Sequence, residues 1–333
     1  MKVDKLGRRD FIKYGLISSC LALSGCSASQ KKSVLRGVPN TFPSEVVESL
    51  PRHWKFVPIK NIESKTDPYN LTLYERTDLL VLNDGWISDL PYRLFQEIKA
   101  KSIRKNLNNQ AKLFLDGLGE NYKNKILPLA VSPWVIVFRN EDSLSLKNKN
   151  SWKVILSDTL TDQIVFPSSP YLLISIAKKT GFFNDFARFK NQAKSFDDRN
   201  ALNWVISGRA KAAVLPLSSC VDSLIKDPRL SVLLPDEGSP LSWTVFASPS
   251  SSSESFSSYL FDLLWESTHS RSVIRKGFLP PTTFSNFRNK DINISERYQS
   301  VFLPKKSVWK NCWSLPILNV EDKKELALYW NNA

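Results

Sequence analysis

The 333 residues carry 46 Lys and Arg against 32 Asp and Glu, a formal charge of +14, with 42% apolar and 11% aromatic side chains. The aromatic content excludes a disordered chain, and the lack of any uninterrupted apolar run of about 18 residues excludes an internal membrane span. The length allows two domains of ordinary size, each with its own core. The basic residues are spread along the chain, which allows nucleic acid, an anionic membrane surface, an anionic ligand or a generally basic surface. The densest stretch, Lys99 to Lys105, reads as the wet face of a helix with no nucleic-acid-binding motif beside it, so nucleic acid is not an expected partner.

In chain order, the first feature is a basic start, an apolar stretch from Tyr14 to Leu23 and then small residues, the anatomy of an export signal over residues 1–25. Those 25 residues hold five basic and two acidic side chains, so the remainder carries +11 of the +14. Arg8-Arg9-Asp10-Phe11-Ile12-Lys13 resembles the twin-arginine export signal, with Gly7 where Ser or Thr is usual; the general secretory route stays open. Leu23-Ser24-Gly25-Cys26 resembles the bacterial lipobox, in which small residues admit the peptidase and the Cys sulfur accepts the lipid. That gives Cys26 as the lipidation site, with a membrane reached through its anchor, a periplasmic or envelope location, and residues 26–33 as a tether. Cys20 lies in the removed segment. Cys220 and Cys312 either pair, as an oxidising compartment permits, or stay as buried free thiols.

Short apolar strands then alternate with helical stretches, which predicts an α/β fold. Expected strands are 55–59, 78–82, 134–139, 163–166, 212–216, 230–234 and 243–248. Expected helices are 44–50, 91–118, 170–180, 198–207, 255–276 and 321–330, with Ser255 and Gly277 as N-cap and stop of the fifth. The polar stretch 140–150 and the Ser-rich turn 249–254 flank the middle third, which reads as inserted between the outer two.

Chemistry is sparse. Only His53 and His269 occur, with no nucleophile motif, phosphate-binding glycine loop or metal-ligand spacing, so no enzyme, cofactor or metal is expected. The loops after strands are richer, and ligands of α/β sheets sit beyond the carboxyl ends of strands. Asp84, Gly85 and Trp86 follow the strand TDLLVL; they are a carboxylate, a tight turn and a flat aromatic face, or else a plain turn beside a core Trp. Trp134 stands at the expected crossing between domains. Ser168 and Ser169 precede a helix start, where they hold a polar ligand group or simply cap the helix. Ser218 and Ser219 follow AAVLP, and Trp243 and Thr244 follow the turn LPDEGSPLS.

VLLPDEGSPLSWTVFASP (232–249) resembles the second crossover segment of type II periplasmic substrate-binding proteins, above all the spermidine/putrescine-binding group. TDLLVLNDGWISDL (77–90), LPLAVSPWVIVFRNEDS (127–143), SWKVILSDTLTDQIVFPSSP (151–170) and RKGFLPPTTFSN (275–286) fall in that group's order. The resemblance implies an α/β, two-lobed fold with a ligand cleft between lobes joined by crossing strands. Lobe 1 would be 34–133 plus 246–288, and lobe 2 134–245 plus 289–333. It also implies a small-molecule solute and an ABC permease as partners. The implied solute is a polyamine, with Trp86, Trp134 and Trp243 as aromatic walls and Asp84 pairing with an ammonium group. One departure stands out. The group's Trp-x-Asp reads Ser242-Trp243-Thr244 here, with the Asp replaced by Thr and the Trp shifted by one residue, onto the other face of a strand. The basic mature chain also fits poorly with gathering a polycation. A non-polyamine polar or anionic solute, or an envelope lipoprotein using the fold as a protein-binding scaffold, is the alternative.

Overall fold

The structure, a computed structural model, describes residues 32–59, 77–139, 150–252, 256, 258–265, 269–283, 292 and 294–333. The export signal, Cys20, Cys26, Ser255 and the polar stretch 140–149 lie outside them. Ten strands are described: β1 Ser33–Gly37, β2 Trp54–Pro58, β3 Leu79–Asn83, β4 Phe95–Gln96, β5 Ile126–Arg139, β6 Ile164–Phe166, β7 Ala193–Phe196, β8 Ala212–Pro216, β9 Leu230–Leu233 and β10 Leu241–Pro249. Their order is β2-β1-β3-β10-β5-β8-β6-β7, with β4 on β10 and β9 on β5.

Two parallel sets lie at the ends of this order, β2-β1-β3 on one side and β8-β6-β7 on the other. The antiparallel pair β5 and β10 joins them. Residues 126–133 of β5 pair with β10, and residues 134–139 pair with β8 and β9. The expected strand 134–139 is the second part of β5, which begins at Ile126 and runs through Pro128 and Pro133. Both prolines fall where a missing N–H costs little. Pro128 sits at the register shift opposite Thr244 and Val245, and Pro133 at the place where β5 changes partner.

Each half has its own core. Leu35, Leu80, Val81, Phe114, Trp243 and Phe246 belong to the first. In the second half both sheet faces are covered, and β5 serves both by alternation. Ile136 and Phe138 pack with Trp152, Phe166 and Phe189, while Val135 and Val137 pack with Val205, Leu217 and Val221. Ile292 packs in the first core.

Several expected elements differ in detail. The segment 91–118 is not one helix. It holds a 3-10 turn, β4 and two helices, Lys101–Asn106 and Asn109–Gly117. Asn108 restarts the helix, because its side chain accepts the Ala111 N–H at 2.9 Å and donates to the Thr282 carbonyl at 3.1 Å. The expected helix 255–276 is described as Tyr259–Trp265 and His269–Arg275. Gly277 follows at φ +79, so close to Ser218 that a Cβ would lie 2.8 Å from its nitrogen. Leu217 to Cys220, read as a loop, opens the helix Leu217–Lys226. Strands β1 and β7 were not expected. Cys220 and Cys312 are free, buried and in separate cores. Burial pushes the Cys312 thiol up to about 12 and that of Cys220 higher still.

Candidate functional site

The parallel strands of both halves run toward the same place, so the loops after their carboxyl ends face one another across β5 and β10. Asn83 ends β3 and ties this junction together. Its Oδ1 accepts the Gly85 N–H at 3.1 Å, which starts the turn Asp84–Asp89, and its Nδ2 donates to Ser242 Oγ of β10 at 2.8 Å.

Two cavities open here. The larger, about 670 Å³, is lined by Val38, Thr41 and Trp86 from the first half and by Arg199, Pro216 and Ser219 from the second, among others. The smaller, about 560 Å³, is lined by Asp84, Gly85 and Phe114, by Ser169 and Tyr171, and by Leu315–Leu318 with Lys323 and Leu326. Asn83, Trp134, Asp198 and Ser242 line both cavities, and so form the neck between them. Each volume lies in the range of small-molecule sites.

The electrostatics of the cleft centre on two carboxylates, one from each half. Burial pushes the Asp84 carboxyl up to about 7, although the backbone N–H groups of Trp243 and Gly85 pull the other way. Burial also raises Asp198, against the Ser168 N–H that it accepts at 3.1 Å. The Ser168 hydroxyl donates to the same carboxylate. At the outer end of the smaller cavity Lys323 pairs with Asp89 at 3.5 Å, both about half exposed, a contact worth at most about 1 kcal/mol.

The C-terminal segment closes the side of the smaller cavity. The Ile317 N–H donates to Gly117 O of the first half at 3.4 Å, and Tyr171 of the second half donates its hydroxyl to Pro316 O at 3.1 Å. Asn319 then caps the helix Val320–Asn332, accepting the Asp322 N–H at 2.8 Å. That helix is held at its far end, where Tyr329 stacks on Phe183 at 4.6 Å and Lys190 Nζ lies 4.6 Å from the Trp330 ring.

Of the residues singled out in sequence, Asp84, Gly85, Trp86, Trp134, Ser169 and Ser219 line one or both cavities. Ser169 is at the same time the N-cap of Pro170–Thr180. Ser168, Ser218, Trp243 and Thr244 line neither; the burial of Trp243 and Thr244 departs from the expectation that they face a ligand. Ser168 is engaged by Asp198, and Ser218 donates its N–H to Ser132 Oγ at 3.0 Å. Trp243 is fully buried, stacked on Phe114 at 4.8 Å and 15°, with Nε1 donating to Ser314 Oγ at 2.8 Å. Thr244 is buried behind Thr41, whose carbonyl accepts its hydroxyl at 3.2 Å. The one-residue shift noted in Ser242-Trp243-Thr244 is the cause. It turns the indole into the core and leaves Ser242 in the cleft. Sequence reasoning missed Asn83, Ser242, Tyr171, Asp198, Arg199 and the C-terminal segment. Asp198 and Arg199 were hidden because the strand before them, β7, is half polar. Among the described residues no cluster of His, Cys, Asp and Glu could hold a metal ion, and no helix is long and apolar enough to cross a membrane.

No protein-family model and no curated protein sequence matches the chain. Solved structures do. The spermidine/putrescine ABC transporter substrate-binding protein PotD from Streptococcus pneumoniae superposes with a TM-score of 0.71 at 11% identity, over 91% of this chain and 98% of that one. The Tp0655 (TpPotD) lipoprotein of Treponema pallidum gives 0.64 at 11% identity, over 90% and 98%. Iron-bound HitA from Pseudomonas aeruginosa gives 0.62 at 9% identity, over 90% and 98%. The fold is that of the type II periplasmic binding proteins: two α/β lobes with the cleft between them, joined here by β5 and β10.

Proposed function

We propose that this protein is an extracytoplasmic solute-binding lipoprotein that delivers a small amine to an ABC permease. The observation that carries the reading is the placement of one carboxylate on each side of the cleft, the partly buried Asp84 after β3 and the more exposed Asp198 after β7, with Trp134 between them at the neck and Trp86 in the larger cavity. A cation touching both carboxylates has a higher affinity for the closed arrangement than for the open one, and only such a difference can drive closure. The aromatic faces cover methylene groups and attract ammonium charge. A polyamine such as putrescine or spermidine has this chemistry. An anion would meet these two carboxylates, with Arg199 and Lys323 the cationic side chains of the linings.

In this reading Cys26 carries the lipid that holds the chain at a membrane, and lipid on a Cys of this kind makes anchoring stable because more than one acyl chain is attached. The proposed division is 34–133 with 246–288 and 134–245 with 289–333, although Leu241, Trp243, Val245, Ile292 and Cys312 of the second set pack in the first core. The resemblance in fold to solute-binding transport proteins supports transport rather than catalysis. The test is a thermal-shift screen of the mature chain at pH 8 with putrescine, spermidine, amino acids, sugars and anions. A ligand that binds only the native state raises the melting temperature in proportion to RT ln(1 + [L]/Kd). Amines are expected to raise it. A rise with anions or sugars and none with amines overturns the amine assignment, and no rise with any solute overturns the transport reading.

A further inference from the structure

The smaller cavity has a wall that a compact diamine does not need. Beside Asp84, its lining includes Phe114 and Leu118 of the first lobe and Leu315, Ile317 and Leu326 of the C-terminal segment. The helix Val320–Asn332 has no fully buried residue; Leu326 packs partly against the second core and lines the cavity as well. Asp84 opens on this apolar space, and none of the hydrogen bonds or ion pairs found for it among the described residues comes from a cationic side chain. A carboxylate so placed is costly as an anion until a cation reaches it. An ammonium group arriving there brings its attached chain along the aliphatic wall.

We propose that this side compartment binds the aliphatic chain of an amine solute whose ammonium group sits between Asp84 and Asp198, so that the protein selects long-chain amines over short ones. The inference rests on the amine reading above and adds the shape of the ligand to it. The C-terminal segment is then the selective wall. It is fixed to the second lobe through Tyr329 and Trp330 and reaches the first lobe through the Ile317 hydrogen bond to Gly117. Its apolar residues line one side of this compartment of about 560 Å³.

Calorimetric titration of the mature chain at pH 8 with putrescine and with n-butyl-, n-hexyl- and n-octylamine tests it. The dissociation constant is expected to fall about fourfold per added methylene, the equivalent of ~0.8 kcal/mol for each CH₂ removed from water. Ala327→Trp, which fills the compartment from an exposed helix position, is expected to flatten that dependence. Leu326→Ser, which makes the wall polar, is expected to reduce it. Putrescine binding combined with no effect of chain length overturns the inference and leaves the amine reading intact. A chain-length effect that survives Ala327→Trp overturns it as well, because the chain then lies elsewhere. Absence of binding by every amine overturns both.

Discussion

Trp134 and Trp243 stand on the two antiparallel strands that join the lobes, and their surroundings are opposite. Trp134 on β5 is half-buried at the neck of the cleft, where its ring borders both cavities. Trp243 on β10 is fully buried, stacked on Phe114 and hydrogen-bonded to Ser314. Both precede a β-branched residue and both looked like aromatic walls in sequence. What separates them is the side of the strand on which each falls. Strand alternation puts Trp243 into the first core and Ser242 into the cleft. The same residue type therefore serves binding on one connecting strand and stability on the other.

Substitutions should pull these roles apart, and the largest effect is expected at Trp243. Trp243→Ala removes a fully buried indole and leaves Ser314 Oγ without its donor. A loss of about 3–5 kcal/mol in unfolding free energy is expected in urea titration. If Trp243→Ala were instead to keep its stability and lose ligand, the assignment of the two tryptophans would be reversed.

Asp84→Asn comes next. The folded carboxyl titrates near 7, above its ordinary value of 3.8, so the native state holds the proton more tightly than the unfolded chain. The unliganded protein should then lose stability as pH rises from about 4 to about 7. The Asn variant should lack that slope and be more stable above pH 7, by on the order of 1–3 kcal/mol. Amine binding should run the opposite way in the native protein: strong above pH 7, weaker as Asp84 is protonated, and nearly flat with pH in the variant. Melting curves and titrations at pH 5, 6, 7 and 8 check both.

Trp134→Ala should cost less stability than Trp243→Ala, because the ring is only partly buried, packing against the second core and bordering the cleft, and should weaken amine binding by about 3- to 30-fold, the range for an aromatic face lost from a cation. The smallest effect belongs to Lys323→Ala. Its pairing with Asp89 is solvated on both sides, so the change in stability should stay under about 1 kcal/mol and vanish in high salt.

Much of the architecture was legible because the inner parallel strands β3, β6 and β8 are almost wholly buried, and such strands read as plain apolar runs. TDLLVL and AAVLP stood out for that reason, as did the helix start at Ser169-Pro170. The loop Asp84-Gly85-Trp86 was found by position, since it follows a clear strand. Other parts of the site were not legible. Asp198 follows β7, whose alternation of Ala193, Lys194, Ser195 and Phe196 gives little apolar signal. The helix Val320–Asn332 was expected, but its place against the cleft comes from contacts distant in sequence, through Gly117, Tyr171 and Phe183, and no local pattern carries such contacts. Trp243 and Thr244 were misplaced because their side of the strand depends on the register of β10 against β5, which shifts between Thr244 and Val245.

The most direct test of the central claim, that one carboxylate from each lobe holds a single amine, is calorimetric titration of putrescine at pH 8 into the native chain, Asp84→Asn and Asp198→Asn. The account predicts that both variants lose at least tenfold in affinity, since each removes one of two charge-assisted contacts. Native-like binding in either variant would show that the amine rests on one lobe alone, and would contradict it.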